Sequence, residues 1–375
     1  MDLAKAFRSL FEINMGIQKG ERVLVFSDII RPEENVSDSD HDRRLRLNKT
    51  ARDAADFAAT TWGNADFIEF PSTPASGAEP PEELWSATFG VETVDELRQA
   101  GLMNKLLLKK ASAEEIALAS DIVLSHRQNV AKIIIAMSNN STSHTRYRAL
   151  ANAGGARFAS LPHFDPEMFH TSMTVDWSAL HSRTARLVQA INKADWIKIT
   201  TPNGTDMMIC KEGRQAEGDD GILTAPGMFG NLPAGEAYFA PLEKQSYGTM
   251  VIEWGPTRKL DQPLHLTVEN GVVTNMVGDD PHRLKLESKF AENNNCRNIA
   301  ELGIGTNDKA SRPDNVLEAE KIMGTIHIAL GDNTGFGGKT SAPFHEDYVF
   351  YRPTVTAISA DGNETIIIDD GKLLV

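Results

Sequence analysis

Apolar and polar residues change their spacing about halfway along this chain of 375 residues. In the first half, short apolar runs such as residues 21–26 and 132–136 alternate with segments at helical spacing, such as residues 4–15, 50–61 and 143–153. Short apolar runs are typical of buried strands, and a recurrence every three to four residues is typical of helices. Strands that alternate with helices predict a parallel, layered α/β sheet.

Shorter segments complete this half. Residues 66–70 and 121–124 are apolar runs that predict two more strands, and residues 111–119 predict a helix. A long helical stretch at residues 166–193 leads into the second half.

After residue 195 the pattern favours antiparallel β-structure with little helix. Residues 195–200 alternate with period two, and further strand-like runs follow at 247–253, 264–268 and 272–277. Asn270-Gly271 between the last two runs is a hairpin turn signal. The predicted fold class is therefore α/β, with a layered α/β domain at residues 1–194 and a β-rich domain at residues 195–375.

Composition and charge limit the classes of function. Hydrophobic residues make up 41% and charged residues 24% of the chain, as in soluble globular proteins. The formal net charge of −14 disfavours nucleic acid and anionic membrane surfaces as partners. Two cysteines without a C-x-x-C pair indicate a reducing compartment, and no signal core or membrane-length apolar run is present. We expect a cytoplasmic protein.

Common catalytic motifs are missing from the sequence. The first predicted strand is not followed by G-x-G-x-x-G, and the chain has no P-loop, no G-x-S-x-G and no H-E-x-x-H. Dinucleotide, phosphate, serine-nucleophile and standard zinc-protease interpretations therefore have no support.

Two glutamates in the C-terminal part stand in unusual surroundings. Glu236 follows a Pro/Gly turn and precedes an apolar run, although a solvated turn glutamate would look the same. Glu301 lies among apolar residues and glycines, where a buried carboxylate needs a partner or a metal ion. The alternative for Glu301 is a salt-bridged or exposed side chain.

Two histidines and an aspartate follow. His327 lies inside an apolar strand-like run, where a hydrogen-bonded core histidine is the alternative to a ligand. His345 and Asp347 share one face of a predicted strand and form a potential metal chelate, or else a plain His–Asp hydrogen bond.

Taken together, these residues supply three carboxylates and two imidazoles without sulfur. That set suits zinc, cobalt or manganese, and five ligands suit two metals per chain bridged by a carboxylate. The predicted metal-binding catalytic domain is therefore the β-rich one, residues 195–375.

These residues carry a resemblance to the aminopeptidase T/aminopeptidase S family of metallopeptidases, over most of the chain. The matching segments, in order, are Lys19-Gly-Glu-Arg-Val-Leu-Val, Gly204-Thr-Asp206, Asn231-Leu-Pro-Ala-Gly-Glu236, Glu301-Leu-Gly-Ile-Gly, His327-Ile-Ala-Leu-Gly331 and His345-x-Asp347. The resemblance implies a homodimer that releases N-terminal residues from short peptides through a metal-activated water. It also implies metal ligands at Glu236, Glu301, His327, His345 and Asp347, with Glu301 or Glu236 as general base.

Two positions place the chain in a divergent branch of that family. The family has an acidic ligand five residues before the histidine of the His-Ile-Ala-Leu-Gly motif, and here that position is Ile322; Glu320 is two residues too early. A family tyrosine seven residues after that histidine is Thr334 here. The chain also resembles the 2,5-dihydroxypyridine dioxygenases, which have a similar fold with a single iron, keep the His-x-Asp pair, carry a histidine at the place of Glu301 and lack His327. A two-histidine, one-carboxylate iron site could be assembled here from His327, His345 and Asp347.

Three classes of function remain open from the sequence. The first is a two-metal aminopeptidase acting on small peptides, and the second is a mononuclear iron ring-cleaving dioxygenase acting on another small molecule. The third is a metal-free binding or scaffold protein. Metal content and oxygen uptake discriminate among them.

Overall fold

The computed structural model describes residues 3–375, and its strands are distributed along the whole of that range. In chain order the strands are β1 (Val23–Ile29), β2 (Ala65–Pro71), β3 (Ile133–Met137), β4 (Arg157–Ser160), β5 (Trp196–Thr200), β6 (Asp206–Cys210), β7 (Glu217–Asp219), β8 (Phe229–Asn231), β9 (Glu236–Phe239), β10 (Tyr247–Trp254), β11 (Lys259–Glu269), β12 (Val272–Val277), β13 (Ile299–Gly305), β14 (Ile326–Gly331), β15 (His345–Phe350), β16 (Thr354–Ile358), β17 (Glu364–Asp369) and β18 (Lys372–Leu373).

Helices are concentrated in the first half. The α-helices are α1 (Ala4–Ser9), α2 (Asp38–Trp62), α3 (Glu82–Phe89), α4 (Val91–Gln99), α5 (Met103–Leu107), α6 (Ala113–Ser125), α7 (Arg146–Ala153), α8 (Trp177–Asn192), α9 (Pro281–Glu292) and α10 (Val316–Ala319). A π-helical turn continues α1 at Leu10–Asn14, and 3-10 turns lie at Pro166–His170, Ser172–Thr174, Asn294–Arg297 and Thr334–Phe336.

The described chain divides into two compact units. The first contains residues 3–174 and Gly221–Pro233, and the second contains Val175–Asp220 and Ala234–Val375. The sequence predicted the boundary at residues 194/195, after α8. This helix lies in the second unit because its buried Leu187 and Ile191 pack into the β-rich core.

Unit 1 is built on a parallel sheet. Its strand order is β2-β1-β3-β4-β8, and every adjacent pair is parallel. Leu24 and Phe26 of β1 pack with buried residues of α3, α4, α6 and α7, whereas α2 packs against β1 and β2. The alternating α/β pattern thus forms the predicted layered domain.

The predicted strand at residues 121–124 is wrong. These residues form the last part of α6, which begins with a capping box in which Ser112 and Glu115 each bond the backbone of the other. Ile122 and Val123 are buried against the other helices and the sheet of unit 1. A run of four apolar residues fits a buried helix segment as well as a strand, and the cap upstream decided between them.

Unit 2 has two antiparallel sheets that share one apolar core. The larger has the order β12-β11-β10-β6-β5-β16-β17-β18, and the smaller has the order β15-β14-β13-β9-β7. Ile197 and Ile252 of the larger sheet pack in the same buried cluster as Leu302 and Ile328 of the smaller one. The predicted α/β fold class, with a β-rich second part, is confirmed.

The hairpin predicted at Asn270-Gly271 is also present. It joins β11 and β12, which pair antiparallel. The φ angles of Asn270 and Gly271 are 51° and 71°, and hairpin turns of this length favour positive φ at both central positions. None of the helices within residues 3–375 combines the length and the apolar character needed to cross a membrane.

Candidate metal centre

The smaller sheet of unit 2 has two chemically different faces. Side chains alternate between the faces of a strand. One face, here called the core face, carries large apolar residues that pack in the buried cluster: Phe239, Leu302, Ile304, Ile326, Ile328, Leu330, Tyr348 and Phe350. The other face, here called the site face, carries all five predicted metal ligands: Glu236, Glu301, His327, His345 and Asp347.

Strand register brings these five residues together. Glu301 pairs with Ala329, which pairs in turn with Asp347 on the next strand. His327 pairs with Gly303, and a Cβ atom added to Gly303 would lie 2.0 Å from His327 Nε2. Glycine and alanine at these positions therefore leave room on the site face for the larger polar side chains.

Glu301 lies at the centre of the cluster and faces two histidines. His327 Nε2 is 3.5 Å from Glu301 Oε1 and 3.3 Å from Glu236 Oε2. His345 Nε2 is 3.5 Å from Glu301 Oε2 and 3.7 Å from Asp347 Oδ1. Each oxygen of Glu301 thus points to a different set of neighbours, an arrangement that a bridging carboxylate requires.

Two sets of ligand atoms follow from these distances. Set A is Glu236, Glu301 and His327, and set B is Glu301, His345 and Asp347; within each set the ligand atoms lie within 4.8 Å of one another. The iron triad suggested by the sequence, His327, His345 and Asp347, is not such a group among the described residues. His327 and Asp347 do form one with Glu320.

Two carboxylate oxygens in the cluster suit a cation better than a hydrogen bond. Glu236 Oε2 and Asp347 Oδ1 are buried and have no hydrogen-bond partner among the described residues. A buried polar atom without a partner costs free energy, and a divalent ion would satisfy carboxylate oxygens of this kind. The residues therefore fit a metal ion.

His345 is held in the form that a metal ligand needs. Its Nδ1 is 2.7 Å from the backbone carbonyl of Asp332, and a carbonyl can only accept a hydrogen bond. Nδ1 therefore donates, so in the neutral ring Nε2, which faces Glu301 and Asp347, has a free lone pair.

The carboxylates of the cluster raise the pKa values of both histidines. Burial alone would lower the pKa of His327, but Glu301 and Glu236 raise that pKa to about 9. Burial also opposes charge on His345, yet Asp347 and Glu301 raise its pKa to about 10. Without metal, the carboxylates thus hold protons on both imidazoles, and a divalent cation would have to displace them.

Glu320 and Lys321 also belong to the cluster, although their positions in the sequence did not indicate it. Lys321 Nζ donates to Glu236 Oε1 at 2.5 Å and to Glu320 Oε1 at 2.8 Å, and only 1% of its side chain is exposed. Burial would lower the pKa of Lys321, but Glu236 and Glu320 outweigh it and hold that pKa well above its usual value. In the sequence, Glu320 stands two residues too far from His327 to match the family's acidic ligand. Its side chain nevertheless reaches the cluster because of the way the chain turns after α10, which spacing does not show.

Aromatic rings border the cluster on one side. Tyr238 lies two residues after Glu236 on the same face of β9, and its ring centroid is 5.9 Å from that of Phe336. The Phe336 ring is in turn 6.0 Å from the imidazole of His345, at an interplanar angle of 87°. The sequence indicated neither residue, because Tyr238 on a strand is typical of a core position and Phe336 in a 3-10 turn has no spacing that links it to the ligands.

The two positions that depart from the aminopeptidase pattern have other roles. Thr334 is exposed, and its hydroxyl donates to Asp332 Oδ1 at 3.0 Å. The carbonyl of Ile322 packs on the backbone of β13, where a Cβ atom at Gly305 would lie 2.1 Å from it. Glu320, rather than position 322, supplies a further carboxylate to the cluster.

The solved structures that are similar to this chain include the following two. A 2,5-dihydroxypyridine dioxygenase from Pseudomonas putida KT2440 is similar at a TM-score of 0.68 and 17% identity, covering 100% of this chain and 97% of that chain. Wild-type AmpT from Thermus thermophilus is similar at a TM-score of 0.63 and 15% identity, covering 100% of this chain and 99% of that chain. At such identities the similarity shows the fold alone.

No curated protein matches the sequence. The family model for 2,5-dihydroxypyridine 5,6-dioxygenase matches residues 97–375, a range that contains the whole polar cluster. The match falls on the second of the two families that the sequence resembles. The chain therefore belongs to the 2,5-dihydroxypyridine 5,6-dioxygenase family.

Proposed function

We propose that this protein is a metal-dependent aminopeptidase that releases N-terminal residues from short peptides. The observation that carries the proposal is the position of Glu301, whose two oxygens face two separate ligand sets. Glu236, Glu301, His327, His345 and Asp347 would hold two divalent ions, such as zinc, cobalt or manganese. Membership of a dioxygenase family does not decide the chemistry, since one fold hosts different reactions.

In this proposal the protein contributes ligands and proton transfer. Divalent ions bound here would lower the pKa of water towards neutrality and polarise a peptide carbonyl. Glu301 or Glu236 would accept the proton of the attacking water and pass it to the leaving amine as the C–N bond breaks. The hydroxyl of the water ends on the carbonyl carbon, so the products are a free amino acid and a shortened peptide.

Charge and accessibility support a small cationic substrate. The net charge of −14 favours a positively charged N-terminal amine over an anion. The side chain of His345 is 28% exposed, whereas that of His327 is 1% exposed, so solvent reaches the cluster from the side of His345. A homodimer and a cytoplasmic location stay predictions from the sequence.

A mononuclear iron dioxygenase is the second candidate, and the family match favours it. Set B offers one imidazole and two carboxylates, which resembles the two-histidine, one-carboxylate site of non-haem iron oxygenases with one ligand changed. The rings of Tyr238 and Phe336 beside His345 would suit a planar aromatic substrate.

Elemental analysis of untagged protein, combined with two activity assays, separates the candidates. We would measure metal per chain, then cleavage of short peptides with free or acetylated N-termini, then oxygen uptake with 2,5-dihydroxypyridine. Zinc, cobalt or manganese together with cleavage of the free peptides alone supports the aminopeptidase. One iron per chain with oxygen uptake and no peptide cleavage rejects it in favour of the dioxygenase.

A further inference from the structure

We infer that Lys321 makes the two ligand sets unequal, so that set B binds a divalent cation tightly and set A binds a second one only weakly. This inference rests on the proposed two-metal site and adds to it the order and the control of metal loading. Activity would then follow the concentration of free metal, because the second cation leaves when metal is scarce.

Lys321 is fixed beside set A by the backbone around it. The backbone N–H of Asn307 donates to the carbonyl of Lys321 at 2.9 Å. The backbone N–H of Lys321 donates to the backbone carbonyl of Glu318 at 3.0 Å. The next carbonyl, of Ile322, lies against Gly305 with no space for a side chain between them. The backbone of Lys321 is thus fixed beside set A, and its side chain, only 1% exposed, is held there by two ion pairs.

Set A shares its outer carboxylate with this ammonium. Glu236 Oε1 is paired with Lys321 at 2.5 Å, which leaves only Oε2 facing His327. The other group that includes His327 contains Glu320, and Glu320 Oε1 is also paired with Lys321. Every ligand group of His327 thus contains a carboxylate that already has a cationic partner.

Set B has no such competitor. In the described part of the chain, Glu301 and Asp347 form ion pairs with histidines only, and no lysine or arginine lies within 4.0 Å of their oxygens. An imidazole that gives up its proton to an incoming metal ion becomes a ligand, whereas the ammonium of Lys321 stays a competing cation. The exposed edge of His345 also gives incoming ions direct access to this set.

Electrostatics favours the same order. A divalent ion bound by Glu236 would lie close to an ammonium held by that same carboxylate, and like charges in a buried site are weakly screened. The penalty is greatest for set A, because Lys321 forms a direct ion pair with Glu236 but acts on Asp347 of set B only at longer range. We expect the second cation to bind at least about tenfold more weakly than the first.

Calorimetric titration of metal-free protein with zinc or manganese ions tests this inference. The wild type should show one tight equivalent and a weaker second one. Lys321→Met should tighten the second equivalent by about tenfold or more, while Lys321→Arg should leave it weak because the charge is kept. Lys289→Met is the matched control, since Lys289 pairs with Glu292 at the surface, outside the cluster.

Lys321→Met leaves buried carboxylates without a partner and risks unfolding. The double variant Lys321→Met/Glu320→Gln removes one charge of each sign and gives the same readout. In the wild-type background, His345→Ala should remove the tight equivalent, whereas His327→Ala should retain it. These two variants test the order of binding without any change at Lys321.

Two equal equivalents in the wild type, or an unchanged second equivalent in folded Lys321→Met and Lys321→Met/Glu320→Gln, would overturn the inference. Retention of the tight equivalent in His345→Ala would overturn it as well. A shift in metal binding without peptide cleavage by fully loaded protein would instead reject the aminopeptidase and leave the role of Lys321 intact.

Discussion

The two faces of the smaller sheet share every strand and differ in what stabilises them. The core face consists of large apolar side chains such as Ile328 and Phe350, whose burial stabilises the unit. The site face carries carboxylates and imidazoles separated by Gly303 and Ala329, and several of its polar atoms lack a hydrogen-bond partner in the described structure. Burying unpartnered polar atoms on the site face costs folding free energy. The packing of the core face must therefore hold the strands in register.

Loss of Glu301 should have the largest effect on metal binding and activity and should leave the core face unchanged. Glu301→Ala removes the carboxylate common to both ligand sets, so we expect loss of bound metal and a fall in activity of about a thousandfold or more. Elemental analysis and peptide assays measure both. Full activity in this variant would mean that the cluster is not the active site.

Ile328→Ala should weaken the packing of the core face without changing the metal ligands on the site face. Ile328 is fully buried next to His327 in the chain but points to the opposite face. We expect a loss of about 2–5 kcal/mol in the free energy of unfolding, as for other large-to-small changes in a core. Urea unfolding measures the loss. Metal stoichiometry under native conditions should stay that of the wild type, and a changed stoichiometry would show that the two faces are not independent.

Gly303→Ala should disturb the site face with a minimal change, because it adds one carbon atom there. That Cβ would lie 2.0 Å from His327 Nε2, so the imidazole must move away from Glu236 and Glu301. We expect affinity for the second metal to fall about tenfold to a hundredfold, as when the support of a ligand is lost. Gly335→Ala is the control, since a Cβ there meets no atom within 4 Å. Equal effects of both variants would contradict this account.

Asp280→Ala should have the smallest effect, on the support of the core face. Asp280 caps α9, whose Leu286 and Phe290 pack in the core. Burial would raise the pKa of Asp280, but hydrogen bonds from Arg258 and the backbone N–H groups of His282 and Asp261 bring it down to about 2. We expect a loss of about 1–3 kcal/mol near neutral pH, the range between a typical cap and a pKa lowered by about two units.

The pH dependence of that loss has a definite sign. A carboxyl group whose pKa is depressed on folding stabilises the folded state above its unfolded pKa of about 4. This stabilisation disappears as the pH falls through about 2. Thermal unfolding of the wild type and Asp280→Ala should therefore differ at pH 6 and converge towards pH 2. A difference that persists at pH 2 would assign the effect to packing instead.

Local pattern was enough to predict much of the fold and part of the site. Alternation placed His345 and Asp347 on one face, and the apolar surroundings of Glu301 and His327 indicated buried positions, as the structure shows. Residues 121–124 were assigned to the wrong element, because a short apolar run does not distinguish a buried strand from a buried helix.

Alternation and turn signals in the sequence determined that unit 2 is β-rich and that five polar residues interrupt its apolar strands, because side-chain direction follows directly from strand periodicity. Which of these residues contact one another depends on how the strands pair and how the loops fold. Lys321 and Glu236 are 85 positions apart in sequence and form one ion pair, and Tyr238 and Phe336 meet beside His345. Strand register and the turn after α10 bring these residues together, and neither is visible in local spacing.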